Sequence, residues 1–165
     1  MDDATVRIVP ATAADAPLLL SLIRELADYE RLSQEVVATE ASLREALFGT
    51  QPNAYAVIAH AGGEPVGFAV WFYNFSTFLG RPGLYLEDLF VRPAWRGRGI
   101  GRALLRHLAN EAVARGCGRM EWAVLDWNAP AIGFYRRIGA VPMDEWTVFR
   151  LAGDSLKKVA GEQGT

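Results

Sequence analysis

Arg96-Gly97-Arg98-Gly99-Ile100-Gly101 places three glycines where an apolar run gives way to an amphipathic one. Consecutive backbone N–H groups at a helix start lack intrahelical partners and favour negative charge, so such a turn suits a pyrophosphate. Close approach of the anion requires missing side chains, which Gly97, Gly99 and Gly101 provide. Glycines placed for loop conformation alone are the competing reading. Arg92, Arg96, Arg98, Arg102 and Arg106 surround the turn with no acidic residue among them, a local charge fit for a compact polyanion. Two known phosphate loops fail on spelling. A Walker A loop needs Gly-Lys-Ser/Thr where Gly101-Arg102-Ala103 stands, and the dinucleotide fingerprint needs glycine at Arg102 or Leu104. Just upstream, Glu87 and Asp88 interrupt an apolar strand, and charged residues are seldom buried without a function or partner. A regular strand sends them to opposite faces; only a bulge brings both to one site. Such a bulge also splays the strand from its neighbour and leaves amides unpaired.

The elements that must position these residues follow from periodicity. Val6 to Pro10 alternates as a first strand. Thr12 and Asp15 open a helix whose Leu18, Leu19, Leu22, Ile23 and Leu26 recur at helical spacing to about Tyr29. A second helix runs from Thr39 or Ala41 to Phe48, with Gly49 as its stop. Ala54 to Ala59 and Val66 to Tyr73 form a hairpin about Gly62-Gly63, Asn74 to Gly83 reads as a loop, and Leu84 to Val91 as the next strand. Ile100, Ala103, Leu104, Leu108 and Ala112 make one helical stripe ending near Gly116. Met120 to Leu125 reads as a strand, Pro130 to Ile138 as a helix, Thr147 to Leu151 as a last strand, and Asp154 to Ala160 as a short helix. The expected fold is α/β (α+β), a single mixed, mostly antiparallel sheet with helices on both faces, in one domain spanning residues 1–165.

The 165-residue chain is about half hydrophobic and carries a net charge of −2. Mixed charge without a basic face argues against a nucleic-acid partner. No apolar run approaches the roughly 20 residues of a spanning helix, so no membrane partner is expected. The acidic start excludes an ordinary secretory signal. The single cysteine, Cys117, permits no internal disulfide and fits a reducing, cytoplasmic compartment. No metal-ligand spacing appears, and His60 and His107 read as surface or satisfied core.

Arg-x-x-Gly-x-Gly from Arg96 to Gly101, between strand and helix, resembles the acetyl-CoA-binding motif of the GNAT superfamily of N-acetyltransferases. Leu84-Tyr85-Leu86-Glu87-Asp88-Leu89-Phe90-Val91 is similar to the preceding strand in the diamine (spermidine/spermine) N-acetyltransferases. Asp126-Trp127-Asn128-Ala129-Pro130 through Phe134-Tyr135 to Gly139-Ala140 is similar to that family's W-N-x-P-x-x-x-F-Y-x-x-x-G-A segment. Pro10 to Asp15 and Leu26 to Glu30 also look alike, so the resemblance covers most of the chain. It implies a GNAT-like fold, acetyl-CoA as cosubstrate without a metal, and a homodimer, with Asp144-Glu145-Trp146 a candidate part of its interface.

Attack on a thioester needs a neutral amine, whereas an alkylamine with a pKa of roughly 10.4 is protonated at neutral pH. A base must take the proton, a donor must meet the oxyanion, and the leaving thiolate can be protonated. The candidates are Glu87 as base (direct or through water), a backbone N–H near Leu89 or Phe90, and Tyr135 as acid. The resemblance matches Tyr135 to the proton-donating tyrosine and Glu87 to a substrate-contacting acid. It matches Gly97, Arg98, Gly99, Ile100, Gly101 and Arg102 to the pyrophosphate cradle that Arg96 begins. Leu89, Phe90 and Val91 offer backbone contacts to the pantetheine arm, and Asn128 a further cofactor contact. From the residues alone, Tyr135 also reads as core and Asn128 as a helix cap.

A cationic acceptor would be drawn to Glu30, Glu87 and Asp88, and the resemblance matches Tyr29 and Glu30 to family positions that contact polyamine. Ser76 lies in a loop where the family's polyamine enzymes carry an acidic residue, which leaves room for a shorter diamine or a lysine-like amino acid. A protein lysine or N-terminal amine as acceptor, and a non-catalytic acetyl-CoA-binding module, are the other readings. A sensor would need neither Glu87 nor Tyr135.

Overall fold

The computed structural model describes residues 5–161, which fall into two compact units divided between Leu125 and Asp126. The first unit is built on a five-stranded sheet in sequence order: β1 (Val6–Pro10), β2 (Tyr55–Ala61), β3 (Glu64–Ser76), β4 (Arg81–Val91) and β5 (Met120–Trp122). Neighbours are antiparallel except β4 and β5, which are parallel because a helix crosses between them.

Helices cover both faces, as expected. Helix α1 (Ala16–Tyr29) starts after a 3-10 turn (Ala13–Asp15), where the Thr12 N–H donates to Asp15 Oδ2 at 2.7 Å. Its Leu19, Leu22 and Leu26 pack on Ala56, Ile58, Phe68, Val70 and Phe90, one face of β2, β3 and β4. Each such buried side chain contributes about 1.5–3 kcal/mol. Helix α2 (Glu40–Phe48) is capped by Thr39, whose Oγ1 accepts from the Ser42 N–H, and packs beside α1. The other face buries Val57, Ala59, Ala69 and Val91. Helix α3 (Ile100–Ala114) lies there through Leu104, Leu108 and Ala112, packed on β4 and β3.

Three expected boundaries differ. Asn74 to Gly83 is mostly strand: β3 and β4 pair as far as Ser76 and Arg81, and only Thr77 to Gly80 turns. Gly83 is a strand glycine, since a Cβ there would meet the Asn74 side-chain oxygen. The strand expected from Met120 to Leu125 ends at Trp122, where pairing with β4 ends. Thr147 to Leu151 alternates in sequence but is exposed and pairs with no strand among the described residues.

In the second unit, α4 (Ala129–Arg137) begins at Asn128 and closes at Gly139. Gly139 has φ 93°, with the Ala140 N–H bonded to Tyr135 O and the Gly139 N–H to Arg136 O, a left-handed helix stop. Helix α5 (Gly153–Val159) follows. No helix among the described residues is long and apolar enough to cross a membrane.

Candidate active site

The expected bulge in β4 is present. Val70 faces Asp88 and Trp71 faces Leu86, so Glu87 is an extra residue without a cross-strand partner. One residue inserted into a period-two pattern turns two successive side chains to the same side. The electrostatics agree. Burial, then Glu87, then Glu30 push the Asp88 carboxyl up to about 6. Burial also raises Glu30, at the last turn of α1. Asp88, expected to share an acceptor pocket with Glu30 and Glu87, therefore lies near enough to feel both of their charges. Among the described residues, no group of three or more His, Cys, Asp or Glu is arranged to hold a metal ion.

The bulge also ends pairing with β5. The parallel ladder joins Leu84 to Met120, Tyr85 to Glu121 and Leu86 to Trp122, while β4 continues to Val91. Which amides face the gap follows from alternation. The Arg92 N–H donates to Val66 O at 2.9 Å, so at two-residue intervals Phe90 and Asp88 also face β3. A Cβ built on Gly67 would lie 2.6 Å from Phe90 O, which agrees with that orientation. Leu89 and Val91 therefore turn their N–H groups to the open side. Of the two amides proposed near the reacting carbonyl, Leu89 and Phe90, only Leu89 points there.

Past β4, a 3-10 turn (Pro93–Trp95) leads into the glycine segment. Gly97 and Gly99 have φ of 75° and 79°, a conformation that strains any side chain, and a Cβ at either would meet nothing within 4 Å. The missing side chains thus leave open space. The first intrahelical bond of α3 joins the Ala103 N–H to Gly99 O, so the amides of Ile100, Gly101 and Arg102 precede it at the positive end of the helix. The turn fits an anion such as a pyrophosphate.

The five arginines separate into two groups. Arg98, Arg102 and Arg106 are exposed, as is Arg96, and Arg98 lies 4.8 Å over the Trp95 ring. Arg92 instead grips Glu25 through two bonds of 3.0 and 2.8 Å and donates to Pro65 O. Arg96 donates from Nε to Val91 O at 2.9 Å and lies 4.4 Å over the Tyr29 ring. Sequence spacing alone groups all five as anion ligands, because these partners are remote along the chain.

Two further residues enter from the structure. Tyr85 stacks on Phe72, and burial, Glu87 and Glu121 raise its hydroxyl pKa. Glu121, one strand over, extends the acidic side of the sheet and pairs with Arg119 at 3.0 Å. Counting alternate positions upstream from the bulge would have pointed to Tyr85; Glu121 needed the β4–β5 register.

In the second unit, Asn128 Oδ1 accepts from the Ala131 N–H at 3.3 Å, the cap foreseen for that position. Tyr135 sits in the last turn of α4 with its ring 5.7 Å from Phe134.

Comparison with known proteins gives this arrangement a lineage. The profile of the Acetyltransferase (GNAT) family matches residues 20–140. A thialysine N-epsilon-acetyltransferase of Bos taurus is 39% identical over 170 residues, covering 96% of this chain and 99% of that protein. An L-ornithine N5-acetyltransferase of Arabidopsis thaliana is 32% identical, covering 93% of this chain and 87% of that one. Among solved structures, an integron cassette protein from the mobile metagenome of V. cholerae superposes with a TM-score of 0.79 at 29% identity, over 95% and 98% of the two chains. With an anion turn, a splayed strand and a matching family profile, the chain belongs to the GNAT acetyltransferase family and is an acyltransferase.

Proposed function

We propose that the protein transfers an acetyl group from acetyl-CoA to a primary amine of a small cationic acceptor: a diamine, a polyamine or a lysine-like amino acid. The observation that carries the acceptor reading is the carboxylate group Glu30, Glu87 and Asp88 beside the gap in β4. Glu87 and Glu30 repel a charged Asp88, and an ammonium group relieves that repulsion. The similarity to proteins named for thialysine and L-ornithine supports an amino acid acetylated at its side-chain nitrogen. Ser76 is buried, and its hydroxyl accepts from the Leu79 N–H, a neutral group where the resemblance gives polyamine enzymes an acidic residue. That favours the shorter acceptors.

The residues divide the work as follows. The turn from Arg96 to Arg102 receives the pyrophosphate on its main chain, while Leu89 and Val91 receive the pantetheine arm and Asn128 adds a contact. Acetyl-CoA supplies the acetyl group as a thioester. Glu87, directly or through water, takes the proton from the acceptor ammonium, and Tyr29, Glu30 and Asp88 orient it. The nitrogen lone pair forms the new C–N bond as the C–S bond breaks, with the Leu89 N–H placed to meet the carbonyl oxygen. Tyr135 gives its proton to the departing thiolate, and the second proton that the nitrogen sheds on becoming an amide restores the tyrosine. The family match runs through the Leu125–Asp126 division, which supports one N-acetyltransferase domain. We further propose a homodimer, and a cytoplasmic setting consistent with the free thiol of Cys117.

The test is release of free CoA from acetyl-CoA with a panel of diamines, polyamines, diamino acids and lysine peptides. Turnover is expected to be greatest with an acceptor of two cationic groups. Tyr135→Phe is expected to cut kcat by about 10²-fold or more with little change in CoA affinity. Tight CoA binding with no turnover of any amine points to a sensor, and preference for peptides moves the acceptor to a protein.

A further inference from the structure

Arg92 and Arg96 flank the short turn Pro93–Trp95 and reach back to the same helix. Arg92 holds Glu25 with a two-bond ion pair. Arg96 lies over Tyr29, its guanidinium carbon 4.4 Å from that ring and 5.5 Å from Phe90. Glu25 and Tyr29 are four residues apart on α1, hence on one side of it. The segment that opens the anion turn is thereby fastened to the last turn of α1 at two successive points. Glu30, the next residue, caps α1 and is one of the charges that Asp88 senses.

Building on the acetyl-transfer reading above, we infer that Arg96 is a positioning residue for the acceptor: bonded to Val91 O and stacked on Tyr29, its guanidinium sets the Tyr29–Glu30 end of α1 against β4. The side chain is held in place at two points, since Nε is bonded to Val91 O and one face covers an aromatic ring. Contact with the cofactor is left to the main chain of the turn. Lysine cannot reproduce this, because a point charge lacks the planar face and the fixed fork of a guanidinium.

The experiment compares wild type, Arg96→Lys, Tyr29→Leu, Tyr29→Phe and the Arg96→Lys/Tyr29→Leu double variant, with folding checked by urea unfolding. Acceptor KM, kcat and the calorimetric Kd for CoA are measured for each. Arg96→Lys and Tyr29→Leu are each expected to raise acceptor KM by about five- to tenfold. The double variant is expected to be no worse than the singles, and Tyr29→Phe to recover most of the loss. CoA Kd is expected to stay within about twofold in Arg96→Lys, with kcat falling less than KM rises. CoA binding weakened tenfold or more makes Arg96 an anion ligand and overturns the inference, as does an unchanged acceptor KM. If the wild type turns over no amine, the acetyl-transfer reading fails, and CoA affinity alone still decides the role of Arg96: an intact Kd supports the clamp and a weakened one overturns it.

Discussion

Burial, Glu87 and Glu30 move the Asp88 carboxyl from 3.8 up to about 6, so its folded form holds a proton more tightly than its unfolded form does. Protonation therefore favours folding at low pH, and this contribution is lost as pH rises through about 6. Above that, the charged carboxylate lowers stability until a cation arrives. Asp88→Asn is expected to raise the unfolding free energy at pH 7.5 by about 1–3 kcal/mol and to change it little at pH 4. Urea unfolding at the two pH values checks this; a variant less stable at pH 7.5 contradicts it. The same substitution is expected to weaken acceptor binding, which ties stability loss and recognition to one side chain. Not all of this was readable beforehand. The adjacent carboxylates in an apolar strand made a bulge the condition for a shared site, because only a bulge brings both to one face. Their coupling to Glu30 depends on where α1 ends in space.

Elements α1, α2 and α3 were legible almost to the residue, since an apolar stripe and its caps are local features. The sheet was less so, because a strand exists only where a neighbour pairs with it. Ala123 to Leu125 has strand-like residues, yet β4 has splayed away by then and β5 stops at Trp122. At the other end of β4, Gly80, Pro82 and Gly83 suggested a loop. Only Gly80, at φ 62°, serves the turn, while Pro82 and Gly83 continue the ladder opposite Phe75 and Asn74. The close approach of β3 and β4 below the bulge rests on Gly67, whose missing Cβ leaves room for the Phe90 carbonyl. Gly67→Ala is expected to cost about 1–3 kcal/mol, as overpacking against a backbone atom does. Its urea midpoint should fall, and an unchanged midpoint would mean that β3 and β4 shift freely.

For the whole molecule, the second unit carries a conspicuous run of exposed apolar side chains. Val141, Met143, Trp146 and Leu151 are exposed, as are Val148 at 88% and Phe149 at 92%. Large apolar surface on soluble chains marks association, which supports the proposed homodimer and a place in its interface for Trp146. Sedimentation of the wild type is expected to give a dimer, and Trp146→Glu with Phe149→Glu to shift it toward monomer. A monomeric wild type at micromolar concentration would remove the dimer from this account.

Beyond Leu86, β4 presents the Leu89 and Val91 amides on the side where β5 has ended. A bare strand edge is also a template on which stray chains add, so the gap is an aggregation hazard. Two side chains bound it. The bulge at Glu87 breaks the register at one end, and Arg96 occupies the Val91 carbonyl at the other. What is left is too short for another strand to zip onto, yet long enough for a small ligand. Residues proposed to shape the site for chemistry thus also shorten the edge on which a stray strand could add.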